Sequence, residues 1–442
     1  MNETRGESRA ASSVEGVSKT QMWLALSAAL LGWMFDGMEM SMYGVIARPA
    51  LVDLMQGRSD EEIKRILGLT FALFLWGAAL GGVIFGRLGD KIGRVQTLMI
   101  TVLVYAGFTA LSAFSQNWQQ LAICRFLGAM GMGGEWGAGV ALIMETWPEK
   151  NRPLLAGLVG SAANVGFWLG ATIARLVQGI ANVEGAWLQS LVRIESIEES
   201  WRWVLLAGVS PAIVAILIRM FVKEPPRWVQ SKKKKEASSL KEIFSKQFRR
   251  STICASLLST VALLGTWGSF LWLASYVSSI VPTDPSAPGT VAQWQGYGQI
   301  VGGVLGGVVG YWISRRLSFA GLCVLAWASV LALYGLHDEY GMSMCLWGVF
   351  AGLWVTAFFG WLPLYIPELF PTRIRATGEG FCYNIGRVIA GFGVLGAGAL
   401  ASFFGEGSTG FQKGGMVMAT IYLTGLIVIY FSPETKGKPL PE

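Results

Sequence analysis

The chain has 442 residues, of which 53% are hydrophobic and only 14% charged, with a net charge of +7. Soluble domains carry roughly 25% charged residues, so an ordinary soluble globule is excluded. His337 is the only histidine, which removes histidine metal sites and Ser–His–Asp chemistry. No glycine-rich phosphate loop ending in Lys and Ser or Thr is present to hold ATP.

The N-terminal segment 1–21 is polar, rich in Ser and Glu over its first 19 residues, and reads as a disordered tail without a signal-peptide pattern. Twelve apolar runs of about 20 residues follow, each the length of a bilayer-crossing helix. They are placed at 22–46, 67–86, 95–114, 119–144, 154–177, 203–221, 252–281, 294–314, 319–336, 342–366, 377–403 and 412–431. The expected fold is therefore an all-α membrane protein of twelve transmembrane helices. The polar stretch 222–251 splits them into six-helix units at 22–221 and 252–431, and 432–442 forms a second tail.

Charge sets the orientation. With both tails on one side, 24 of the 35 Lys and Arg fall on that side and seven opposite; Arg125, Arg175, Arg219 and Arg387 lie within spans. Excess cations mark the cytoplasmic face, so both termini are expected in the cytoplasm, with Lys232–Lys235 facing anionic headgroups. The +7 excess is thus read as topology, and no nucleic-acid partner is expected. Cys124, Cys254, Cys323, Cys345 and Cys382 lie in apolar runs without metal or redox spacing, as small buried hydrophobes do. Gly391–Gly396 matches a dinucleotide pattern but has no preceding strand, so helix packing explains it better. No metal, cofactor or enzymatic nucleophile–base set is indicated.

The halves repeat. Glu145, Pro148 and Arg152 recur as Glu368, Pro371 and Arg375 at an offset of 223 residues, which also carries Gly157 onto Gly380 and Gly170 onto Gly393. Glycines at four-residue spacing in the second and eighth spans allow close backbone approach. A 6+6 parallel repeat predicts two bundles facing a site near the midplane, with access alternating as they rock.

The stretch from Gly86 through Asp90 to Gly93 and Arg94, read as a short loop between spans 2 and 3, resembles the signature loop of the major facilitator superfamily. Its counterpart from Gly310 to Arg316 lacks the acid, so a weaker latch is expected there. Arg125 and the Gly-rich run through Glu135 and Trp136 resemble the fourth helix of sialate and monocarboxylate proton symporters. Asp36-Gly-Met-Glu39 resembles the acidic first-helix motif of that branch and of the aromatic-acid symporters. Pro367–Arg375 and Asn384–Arg387 fit the same organic-acid branches. Glu224–Trp228 and Pro433–Gly437 resemble motifs of sugar porters. The resemblance covers nearly all of the chain beyond Lys19. It implies a secondary transporter that moves a small organic anion with protons and acts as a monomer in a bacterial inner membrane. A sugar or polyol porter and a transport-inactive receptor on the same fold are the alternatives.

Charges inside spans need a reason, since each costs about 2.5–3.5 kcal/mol on insertion. Asp36 and Glu39 share one face of the first helix, where either can bind a transported proton or simply bond a neighbouring helix. Arg125 and Glu135, ten residues apart, cannot pair directly; Arg125 is expected to pair with a first-helix acid, to couple protons, or both, and Glu135 to take a transported proton or simply to hold helices together. Arg387, on the face of Asn384, can offer a forked donor to a carboxylate or hold a structural ion pair. Tyr43, Trp168, Trp267, Tyr276, Gln295, Gln299, Trp361 and Tyr383 are candidate pocket residues. Gly86, Asp90, Gly93, Arg94, Glu145, Arg152, Glu368 and Arg375 are candidate latch residues, with Glu145 and Glu368 expected to pair with arginines at helix ends. The link 178–202 is long, and Arg193–Ser200 is expected to form a surface cap.

Overall fold

The computed structural model describes residues 17–181, 200–233, 239–270, 273–284, 287–405 and 407–441. The expected cap at Arg193–Ser200 falls outside them except for Ser200, as do most of the N-terminal tail and Lys234 and Lys235.

The first bundle comprises α1 (Lys19–Leu54), α2 (Asp60–Ile92), α3 (Arg94–Ser112), α4 (Trp118–Thr146), α5 (Arg152–Ala181) and α6 (Ser200–Met220), followed by a short α7 (Pro226–Lys233). The second comprises α8 (Arg249–Gly265), α9 (Leu273–Ile280), α10 (Ala287–Trp312), α11 (Arg315–Gly335), α12 (Met342–Tyr365), α13 (Arg375–Phe404), α14 (Ser408–Ala419) and α15 (Ile421–Phe431). Local chemistry starts several of these helices. Ser59 accepts the Glu62 N–H, and Asp60, Glu61 and Glu62 fill the first turn of α2, where the helix dipole favours anions. Asn117 and Ser314 cap α4 and α11 in the same way.

Seven of the described helical stretches are long and apolar enough to cross a membrane by length and composition. α1, α4, α6, α10 and α13 are not among them. Four of these carry buried charges (Asp36, Glu39, Arg125, Glu135, Arg219, Glu379 and Arg387), which lower their mean hydropathy; α10 carries none and is instead rich in Gly and Gln. Most of the helices that look least like spans are thus ones that hold intramembrane charges.

In the first bundle α2 packs on α4 and α1 on α5; in the second α10 packs on α12 and α8 on α13. Glycine sets these distances. A Cβ on Gly81 would sit 1.9 Å from the Met130 carbonyl oxygen, and one on Gly306 1.7 Å from that of Ala357. The bundles meet where α2 and α4 pack on α13, and where α5 packs on α10 and α12.

Two features differ from the sequence reading. The supposed loop at Gly86–Arg94 is mostly helical: α2 continues through Asp90 to Ile92, and the chain turns at Gly93 alone, whose φ of +126° suits a residue without Cβ. The seventh span is interrupted, because residues Thr266–Phe270 form a π-helical turn between α8 and α9. The widened turn leaves carbonyls to satisfy. The buried Tyr334 hydroxyl donates to the Ser269 carbonyl at 2.7 Å.

Candidate functional site

A cavity of about 120 Å³ lies between the bundles. α1 contributes Trp33, Asp36, Gly37 and Met40, and α5 contributes Gly160, Ala163, Asn164 and Phe167. Both sets follow the spacing i, i+3, i+4, i+7, which is one face of a helix. Opposite them stand Thr266 and Trp267 of the π-turn, Gln299 of α10, Phe359 of α12, and Tyr383 and Arg387 of α13.

The buried charges sort into pairs. Glu39 accepts from both Arg125 and Thr109 inside the first bundle. The Arg125 guanidinium also lies 4.4 Å from the Tyr43 ring centroid, a cation–π contact. Glu135 pairs with Arg219 at 3.1 Å, and Arg219 also donates to the Leu98 carbonyl. Beside the cavity these pairs leave Asp36 and Arg387, carried by different bundles and both lining it. Among the described residues neither carboxylate oxygen of Asp36 has a hydrogen-bond partner. Arg387 donates to the Asn384 side-chain oxygen at 2.8 Å and lies 5.2 Å from the Tyr383 ring centroid. Asn384 is itself fixed by donating to the Gly380 and Gly133 carbonyls. Tyr383 stacks on Trp136 of the other bundle, with centroids 4.0 Å apart and planes at 10°.

Most lining polar groups are spent on the backbone. Asn164 donates to the Gly160 and Gln299 carbonyls, Thr356 to Gly352 and Gln299, and Thr266 to Ala262. What the cavity offers a ligand is one guanidinium, one carboxyl, the Gln299 amide and a wall of aromatic rings.

Of the sequence candidates, Asp36, Trp267, Gln299, Tyr383 and Arg387 line the cavity. Several others do not. Asn384 stands behind Arg387 and orients it. Tyr43 packs under Arg125, against Phe71 and Phe74. Trp168 does not line the cavity; its neighbour Phe167, exposed to a similar degree, does. Gln295 is buried against Gly348 and Gly352 between α10 and α12. Trp361 is fully buried and bonds Ser318, and Tyr276 bonds the His337 carbonyl. Asp36 and Glu39 also part company: one faces the cavity, while the other is tied to Arg125. Sequence reasoning missed Arg219 as the partner of Glu135, the lining residues Trp33, Asn164, Phe167, Thr356 and Phe359, and buried Glu379. The helical spacing around Asp36 pointed to Trp33.

At the end of the molecule that carries the termini, ion pairs hold the bundles together. Arg94 donates to Asp90, to Glu145 and, across the interface, to the Thr372 carbonyl. Glu145 also accepts from Arg375 of the second bundle at 2.8 Å. Asp90 accepts the Ala376 and Thr377 backbone N–H groups at the start of α13. Gly86 is crowded against Ala376 and Gly380 of α13. Arg152 pairs with Glu149. In the second bundle Glu368 pairs with Arg315 at 2.7 Å, but the position matching Asp90 is Tyr311, which is exposed. Glu224 and Glu434 of the sugar-porter-like motifs lie outside the cavity: they cap the N-termini of α3 and α11. Gly93 is pressed against Glu224, where a Cβ would lie 2.3 Å from its carboxylate.

Two helical bundles clasping a charged cavity, closed at one end by ion pairs, have the architecture of a membrane carrier. The chain belongs to the Major Facilitator Superfamily, whose family pattern matches residues 29–377. It is an integral, multi-pass membrane transporter and not an enzyme. It is 30% identical to a Haemophilus influenzae protein named for metabolite transport, over 95% of this chain and 98% of the relative. It is 29% identical to a protein of Cupriavidus pinatubonensis named as a 4-methylmuconolactone transporter, over 95% and 91%. With the sialic acid transporter NanX of Escherichia coli it shares 25% over 94% of each chain. The solved structure of the proton:xylose symporter XylE bound to 6-bromo-6-deoxy-D-glucose superposes with a TM-score of 0.76 at 17% identity, covering 96% of this chain and 98% of that one.

Proposed function

We propose that the protein carries a small organic anion together with protons, and that the anion is a planar aromatic or unsaturated carboxylate. The observation that carries this reading is the composition of the cavity: Arg387 faces a space walled by Trp33, Phe167, Trp267, Phe359 and Tyr383. A guanidinium offers a forked donor to a carboxylate, and ring faces suit a flat apolar body. A polyhydroxylated acid or sugar would need many free donors and acceptors, whereas the cavity's amide and hydroxyl groups are largely bonded to backbone. The relatives named for 4-methylmuconolactone and cis,cis-muconate support the same choice.

Asp36 supplies the proton site. A buried carboxyl without a hydrogen-bond donor favours its neutral form, and an approaching cation favours the anion. Because Asp36 and Arg387 sit on opposite bundles, rocking changes their separation and with it the proton affinity. The excess of Lys and Arg on the side of the termini supports a cytoplasmic location for them, in what we read as a bacterial inner membrane, so the ion-paired end is the cytoplasmic gate in its closed state. The protein works as a monomer surrounded by lipid.

The test is uptake into proteoliposomes under an imposed pH gradient, with benzoate, cis,cis-muconate, sialic acid and xylose offered separately. Benzoate or muconate should accumulate, Arg387→Ala should abolish that uptake, and Asp36→Asn should stop accumulation while preserving exchange. Accumulation of xylose or sialic acid alone, or normal uptake by Arg387→Ala, would overturn the reading.

A further inference from the structure

We propose that Glu379 of α13 is a second proton-binding site, separate from the cavity, which holds a proton while the termini end is closed and releases it when that end opens. Glu379 is fully buried, and among the described residues neither of its carboxylate oxygens has a hydrogen-bond partner.

Its surroundings explain why. Around Glu379 stand Arg375 on its own helix, Glu145 from α4, Arg94 from α3 and Asp90 from α2. α8, on the other side of α13, has Arg249 and Arg250 at its exposed end, Arg250 being bonded to the Phe431 carbonyl. Arg373, just before α13, pairs with Glu242. The buried cluster thus holds three carboxylates against two guanidinium groups. Both guanidinium groups are committed: Arg94 bonds Asp90 and Glu145, and Arg375 bonds Glu145 and the carbonyls of Pro367 and Pro441. Asp90 is further held by the N–H groups that start α13. The third carboxylate has no donor, and the two guanidinium groups near it spend their bonds elsewhere; a buried ionised group so placed is disfavoured over its protonated form.

Opening reverses this. When α13 moves away from α2 and α4, the bond from Arg375 to Glu145 breaks and water enters. Arg375 and Glu379 are four residues apart on one helix, so their side chains are neighbours. The freed guanidinium can then pair with a Glu379 carboxylate, whose proton passes to water. Arg375 exchanges Glu145 for Glu379, and one proton leaves per opening. Acid therefore favours closure of this end, and alkali favours opening.

The experiment uses the full chain in lipid nanodiscs without substrate, so its outcome is independent of the role given to Arg387. Nitroxides are attached at K91C on α2 and Q247C before α8, both exposed, with the partly exposed Cys124 changed to Ser. The distance between them is followed by pulsed electron resonance from acidic to alkaline buffer. The parent should widen as pH rises. Glu379→Gln and Glu379→Met, neutral replacements of similar size, should lose most of that widening, while Asp36→Asn, which removes only the cavity's own contribution, should retain most of it. If both neutral variants still open with rising pH, or if neither folds as monodisperse protein, the buried group is not a protonated acid and the proposal falls. Loss of the response in Asp36→Asn with its retention in Glu379→Gln would overturn it equally.

Discussion

Thr377 donates both its backbone N–H, at 2.8 Å, and its hydroxyl, at 2.5 Å, to the same carboxylate oxygen of Asp90, 287 residues away and in the other bundle. Asp90 thereby serves as the N-terminal anion of a helix it does not belong to. Capping α13 and closing the termini end are one event, so the helix start is satisfied in this way only while the bundles touch.

Asp90→Asn should therefore destabilise closure more than it destabilises folding. Hydrogen bonds to a charged group contribute about 1.5–3 kcal/mol, so the closed-to-open ratio should fall by roughly tenfold or more. Pulsed electron resonance across this end reads the shift directly; an unchanged distance distribution would show that the cap does not hold the gate.

Asn384 touches no ligand space, yet it fixes Arg387. Asn384→Ala should raise KM for the anion several-fold with a smaller effect on the maximal rate, because the guanidinium keeps its charge and loses its aim. Arg387→Lys should be worse, since an ammonium cannot present the forked pair. Equal kinetics in Asn384→Ala and the parent would remove Asn384 from the site.

Two glycine substitutions separate gating from folding. A Cβ at Gly303 would lie 2.7 Å from the Ser161 nitrogen in the opposite bundle, whereas one at Gly360 would lie 1.8 Å from the Gly303 carbonyl oxygen within its own bundle. Gly303→Ala should leave a folded protein held open at the termini end, with slow uptake. Gly360→Ala should lower the melting temperature, by an overpacking cost of about 1–3 kcal/mol. Size-exclusion profiles, thermal melts and the inter-bundle distance distinguish the two outcomes.

Glu224 and Glu434 do the same task with opposite acid–base behaviour. Burial pushes the Glu224 carboxyl above its ordinary value despite three backbone N–H donors from Gln96, Val95 and Arg94. At Glu434 burial acts in the same direction, but the N–H groups of Lys436, Arg316, Arg315 and Thr435 outweigh it and hold the group below its ordinary value. The stability from Glu434 is thus present above the unfolded carboxylate range and lost as pH falls through its depressed value. That from Glu224 is greatest below the unfolded value and declines as pH rises through the raised one. Glu434→Gln should cost about 0.5–2 kcal/mol near neutrality and progressively less in acid; the deficit of Glu224→Gln should grow in acid. Melting temperatures across pH show whether the trends diverge.

Much of this was legible before any coordinates. The repeat of Glu145, Pro148 and Arg152 as Glu368, Pro371 and Arg375 located the ion-paired end, because such residues at helix ends seek one another. The intramembrane charges marked α1, α4 and α13 as the functional helices. Partner choice was not legible. Asp36 and Glu39 are three residues apart, and only the position of α3 and α4 decides that Glu39 meets Thr109 and Arg125 while Asp36 is left for the cavity. Trp168 and Phe167 differ by one residue, about 100° around the helix, enough to take one ring into the cavity wall and leave the other out of it. Glu379 escaped notice because it lies near the start of its span, where a carboxylate on a helix end usually meets water.

The π-turn at Thr266–Phe270 has a developmental reading. A π-turn arises when one extra residue is accommodated within an existing α-helix. Loss of a single codon in that stretch would restore ordinary helical winding and swing Trp267 roughly 100° around the axis, away from the cavity. The ligand wall on that side hangs on one inserted residue. Natural relatives can thus change what they carry by a one-residue deletion there, with the cavity side chains of α1, α5, α10, α12 and α13 left as they are.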